Sequence, residues 1–173
     1  KVVSVGGHIG ANSDGVGQML VSGTGSLWEN SGRINVGLFG TGTLRIENGA
    51  SVASNDGVVG ASGHGDVVVS GAGSTWINTQ QLNIGSFGTG TLRIENGASV
   101  SSNQGYIGAN ANGSAVVTGA GSGMVAPARG RAGGGWGGRP TSPIRSAGGS
   151  GCSGSGGGST GRAVWRRGEP WAW

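Results

Sequence analysis

The chain has 173 residues, 43 of them glycine, and carries 11 Lys+Arg against 7 Asp+Glu. The charge is unevenly placed: residues 1–123 hold Lys1, Arg33, Arg45 and Arg93 against Asp14, Glu29, Glu47, Asp56, Asp66 and Glu95, a net −2, whereas residues 124–173 hold seven arginines against Glu169, a net +6. The basic character therefore belongs to the C-terminal part and says nothing about partners of the rest, and the single cysteine, Cys152, excludes an internal disulfide and a Cys/His metal cluster.

In chain order, the first recurrent segment is Gly23-Thr-Gly-Ser-Leu-Trp28. It returns forty-eight residues on as Gly71-Ala-Gly-Ser-Thr-Trp76, and again as Gly119-Ala-Gly-Ser-Gly-Met124, where the tryptophan is lost. Between the first two lies Thr41-Gly-Thr-Leu-Arg-Ile-Glu-Asn-Gly-Ala-Ser-Val52, repeated without change as residues 89–100. Within the forty-eight-residue unit runs a half-period of twenty-four, marked by Gly25, Gly49, Gly73, Gly97 and Gly121. Three residues after each glycine stand Trp28, Val52, Trp76, Val100 and Met124. A fixed period in this range is the mark of a solenoid.

Between these anchors the apolar residues alternate with polar ones, as in Ile34-Asn-Val36, Leu44-Arg-Ile46, Leu82-Asn-Ile84 and Leu92-Arg-Ile94. Such runs, bounded by Gly, Asn and Ser, predict strands of three to five residues with one face buried. A coil of twenty-four residues cannot bury its apolar face alone; stacking on a like coil pairs the backbone groups at about 4.8 Å and buries both. The expected fold is all-β, a right-handed parallel β-helix of about five coils over residues 1–123. Trp28, Val52, Trp76 and Val100 would form one interior ladder, and Leu44, Ile46, Leu92 and Ile94 would belong to two others. The twenty-four-step glycines would sit at corners that need positive φ. Two extra residues around positions 12–17 predict a longer turn in the first coil.

After Gly123 the period stops. Residues 124–173 are Gly-, Arg-, Ala-, Pro- and Ser-rich without periodicity, which predicts a disordered tail. Met124-Val125 is encoded by ATGGTN, which contains the Trp codon TGG one nucleotide out of frame. The tail is therefore also expected to be the out-of-frame reading of a gene whose product continues the repeat. The nucleotide sequence across codons 120–175 distinguishes the two. A third reading, an Arg/Gly-type RNA-binding segment, is disfavoured by the irregular spacing of the arginines, and nucleic acid is not an expected partner. The terminal Trp171-Ala-Trp173 resembles the aromatic end of a barrel strand, but fifty Gly-rich residues cannot supply eight strands of about ten. No apolar run approaches the roughly 18 residues of a membrane helix and no basic-then-apolar leader precedes the repeats, so the chain is expected to be an internal fragment without a membrane-spanning segment.

No catalytic, cofactor-binding or metal site is expected. Glu47 and Glu95 are repeat-equivalent and two coils apart, roughly 10 Å, and are expected to form a solvated row instead of a glycosidase pair. Asp14, Asp56 and Asp66 are expected in turns, as are His8 and His64. Gly63-His-Gly-Asp66 lacks the spacing of calcium-binding repeats, and Gly40-Thr-Gly42 and Gly88-Thr-Gly90 read as turn glycines without the lysine of a phosphate loop.

Taken together, Val36-Gly-x-x-Gly-x-Gly-x-Leu-x-Ile-x-Asn-Gly-Ala-x-Val52 and Val69-x-Gly-x-Gly-Ser-x-Trp76 resemble the passenger-domain repeats of bacterial autotransporters. The resemblance covers residues 1–123 and implies a secreted or outer-surface β-helix, joined in the parent protein to an outer-membrane barrel. It also implies adhesion or virulence as the role, with host or neighbouring-cell surface ligands as partners. The expected function is a non-catalytic adhesive stalk. The alternative is a fragment of a carbohydrate-active β-helix enzyme.

Overall fold

The computed structural model describes residues 1–126 and the backbone of residues 162–166. The described chain is a β-solenoid whose coils stack by parallel pairing. The first coil runs through β1 (Val2–Ser4), β2 (Gly7–Ile9) and β3 (Val16–Ser22). The second has β4 (Leu27–Asn30), β5 (Arg33–Val36) and β6 (Thr41–Glu47), and the third β7 (Ser51–Ser54), β8 (Asp56–Val59) and β9 (His64–Ser70). In the fourth and fifth coils the first two strands run together as β10 (Thr75–Ile84) and β12 (Ser99–Ile107), followed by β11 (Thr89–Glu95) and β13 (Gly113–Thr118). A sixth coil begins with β14 (Gly123–Val125).

Two sheets result. One joins the first and second strands of every coil through β10 and β12; the other stacks β3, β6, β9, β11 and β13. Strands reach seven to ten residues, longer than the alternation predicts, because ladder pairing with the coils on either side carries the extended backbone past the apolar pairs. In β10 a register irregularity between Asn78 and Gln81 replaces the corner that Ser31-Gly32 makes in the second coil.

The interior is built from rungs. Trp28 pairs in register with Val52, Val52 with Trp76, Trp76 with Val100, and Val100 with Met124. In the second sheet Leu44, Val67, Leu92 and Ala115 form a row, as do Ile46, Val69, Ile94 and Val117. All of these side chains are buried. The alternation seen in the sequence is thus a direct image of the pleat, one face to the core and one to solvent.

Gly25, Gly49, Gly73, Gly97 and Gly121 all have positive φ, between 77° and 82°. In every second coil the residue before that glycine is also left-handed, and there it is asparagine: Asn48 at φ 58° and Asn96 at 57°. Each donates from Nδ2 to a serine of the preceding coil, Asn48 to Ser22 at 2.9 Å and Asn96 to Ser70 at 3.0 Å. Gly42 and Gly90 lie inside β6 and β11, not in turns. A Cβ on Gly42 would stand 2.3 Å from the backbone nitrogen of Gly37 and 2.4 Å from the carbonyl oxygen of Ile9, so that strand accepts glycine alone.

The long turn of the first coil spans residues 10–15, with Ala11, Asn12, Ser13 and Asp14 exposed. At the other end, the described strands reach beyond residue 123. Met124 and Ala126 are buried against the fifth coil, and β15 (Arg162–Arg166) pairs antiparallel with β13 along its outer edge. The remainder of the expected tail lies outside the described residues, as do Cys152 and Trp171-Ala-Trp173. Among the described residues no helix is long and apolar enough to cross a membrane.

Candidate functional site

Two features could carry function: the tryptophan sockets inside the rod and the repeated stations on its surface. Inside, Trp28 and Trp76 reach toward the coil on their N-terminal side. Trp76 Nε1 donates to Ser54 Oγ at 3.2 Å, and Trp28 Nε1 to Ser4 Oγ at 2.9 Å. Glycine makes the room: a Cβ on Gly57 would lie 2.6 Å from Trp76 Cζ2, and one on Gly7 would lie 2.8 Å from Trp28 Cζ2. An asparagine completes each socket. Ser54 Oγ donates to Asn78 Oδ1 at 2.8 Å, while Asn30 Nδ2 donates to Ser4 Oγ at 3.1 Å. Each indole N–H thus pairs with the serine of the coil before it, buried at Ser54 and half-buried at Ser4.

The structural unit is therefore a pair of coils, a Val/Ser/Gly coil followed by a Trp/Asn coil. The fifth coil supplies Val100, Ser102 and Gly105 in the corresponding places, but the next coil answers with Met124 and Ala126. Met124 fills the apolar rung at 1% exposure, yet it offers no donor, and neither does the Ala126 side chain. Ser102 Oγ is in consequence the one buried side-chain nitrogen or oxygen without a hydrogen-bond partner among the described residues. The ladder of Trp28, Val52, Trp76 and Val100 is legible in the sequence; the sockets are missed. Their signal was the same forty-eight-residue spacing, which links Asn30 to Asn78, Ser54 to Ser102 and Gly57 to Gly105.

On the surface, Phe39-Gly-Thr-Gly-Thr-Leu-Arg-Ile-Glu47 and Phe87-Gly-Thr-Gly-Thr-Leu-Arg-Ile-Glu95 are identical and separated by one coil. Phe39 is 59% exposed and Phe87 73%. Arg45 and Arg93 project outward and each pairs with the glutamate two residues on, at 3.5 Å and 3.1 Å. Glu47 and Glu95 are held in register through Ser70 of the coil between them, so each carboxylate faces an arginine and neither faces the other. Asp66 stands between Thr43 and Thr91, and His64 between Thr41 and Thr89. Both lie in β9, and Asp56 opens β8 beside Arg33 at 3.7 Å, so these residues occupy strands where turns were expected. His8 lies in β2, with Nδ1 3.1 Å from Asn35 Nδ2. Asp14 lies in the long turn of the first coil, as expected. Among the described residues no three His, Cys, Asp or Glu side chains come together as a metal site would require.

No family model, curated protein or solved structure matches the chain.

Proposed function

We propose that the solenoid is a non-catalytic, rod-like segment of a secreted or outer-surface bacterial autotransporter passenger, and that it acts as an adhesive stalk toward host or neighbouring-cell surfaces. The observation that carries this reading is the periodicity of the exposed chemistry. Phe39 to Glu47 and Phe87 to Glu95 present the same side chains at the same corner of alternate coils, so the surface distinguishes no single point and offers the same contact repeatedly. Repetition on a rigid support raises avidity for an extended partner without requiring a strong single contact. The order of the Leu-x-Ile-x-Asn-Gly and Gly-Ser-x-Trp segments supports the assignment to autotransporter passenger repeats.

The test is binding of the labelled full chain to bacterial and host cell surfaces, followed by flow cytometry, with reducing-end release from polysaccharides measured in parallel. Saturable binding that survives Glu47→Gln and Glu95→Gln, without release of reducing ends, is the expected result. Turnover of a polysaccharide that those two substitutions abolish would overturn the reading.

A further inference from the structure

We infer that the row through Phe39, Ser62 and Phe87 is a docking track for a neutral linear polysaccharide. This inference rests on the adhesive reading above and names the partner class for it. Phe39 and Phe87 stand two residues after the corner glycines Gly37 and Gly85, and Ser62 stands two after Gly60 in the intervening coil. The corners stack directly: Ser62 N donates to the Leu38 carbonyl at 2.9 Å, and Phe87 N to the Ala61 carbonyl at 3.0 Å. The backbone positions that carry the two rings are therefore held two coil spacings apart, roughly 10 Å. Neither ring is needed for the core, since both are largely exposed while every interior rung is filled by other residues.

Three properties select the partner. Exposed aromatic rings on a rigid corner stack against flat faces, which suits the C–H faces of sugar rings as well as nucleobases. Between the rings and on the strands that follow lie the exposed Ser62, Thr41, His64 and Thr89, neutral hydrogen-bonding groups that suit hydroxyls, while the charged group nearest the Phe39 end is the exposed Asp14, an acid, in the turn that pairs with Phe39 and Thr41. The charge disfavours a polyanion. Arg45 and Arg93 are each neutralised by a glutamate of their own strand, and residues 1–126 carry two more acidic than basic side chains. Two identical stations roughly 10 Å apart suit a polymer with its own repeat, two alternate sugars meeting the rings while the sugar between lies over Ser62.

The experiment is calorimetric titration of the full chain with neutral β-linked oligosaccharides of two and of six sugars, with heparin and single-stranded DNA as anionic probes. Wild type is expected to bind the longer oligosaccharide at least about tenfold more tightly than the shorter, because only the longer reaches both rings. Phe39→Ala and Phe87→Ala should each abolish that length dependence and leave the β-type circular dichroism unchanged. Equal affinity for both lengths, unaltered binding in the doubly substituted chain, or binding of the anionic probes alone would overturn the inference. Cell-surface binding that persists in the doubly substituted chain would also overturn it while leaving the adhesive reading standing. Loss of surface binding together with oligosaccharide binding would support both.

Discussion

Ser54 Oγ accepts from Trp76 Nε1 and donates to Asn78 Oδ1, whereas Ser102 Oγ, one repeat further on, has no partner among the described residues. The same substitution should therefore have different effects at the two positions. Ser54→Ala leaves an indole N–H and an amide oxygen buried and unpaired, at a cost of about 1–3 kcal/mol. Ser102→Ala removes a hydroxyl that is already unpaired and should be neutral or stabilising. Urea denaturation of the two variants checks the contrast, and equal losses would contradict it. Truncation of Trp76, fully buried, should cost about 3–5 kcal/mol, because Gly57 leaves nothing to collapse into the space.

At the scale of the strand and the turn, backbone contacts decide. Gly42→Ala would drive a Cβ into the backbone of Gly37 and Ile9, and neither can give way as a side-chain tip could. A loss of about 1–3 kcal/mol or more is expected, read as a lower thermal midpoint. Asn48→Ala should cost about 1–2 kcal/mol, since alanine must be held at φ 58° and the bond to Ser22 is lost. The element pattern was legible where side chains report it. Leu44-Arg-Ile46 alternates because β6 has one buried face, and Gly49 has the positive φ expected of a corner glycine, whereas the left-handed Asn48 before it was not read from the sequence. Strand length was not legible, because Thr75–Ile84 runs on through a pairing irregularity that depends on the neighbouring coil rather than on its own residues. Gly42 read as a turn glycine, and Gly57 drew no reading, for a similar reason: their meaning lies in what approaches them from another coil. Of the surface, the identity of the two Phe-to-Glu segments could be read from the sequence, but the exposure of Phe39 and Phe87 could not, since an aromatic beside an alternating strand reads equally well as core.

At the scale of the whole molecule, stability is a sum over coils and their interfaces, so the ends decide how the rod behaves. An exposed sheet edge invites pairing with another chain. The edge of β13 is covered by β15 running antiparallel, Val116 opposite Val164. Val164→Pro removes a backbone donor from that strand and should increase concentration-dependent light scattering while leaving the interior coils folded; unchanged scattering would show that the cap does not protect the edge. The pairing of coils gives the last coil a further meaning. Met124 is seated where Trp28 and Trp76 sit in the two preceding pairs, above a serine and a glycine that match their sockets.

Met124→Trp tests this account most directly. If each pair of coils is closed by an indole donating to the serine beneath it, the variant should raise the urea midpoint. It should also add one indole N–H resonance that exchanges slowly with solvent, and Ser102→Ala in the same chain should remove the gain. A variant no more stable than the parent, or a new indole that exchanges freely with water, would contradict it.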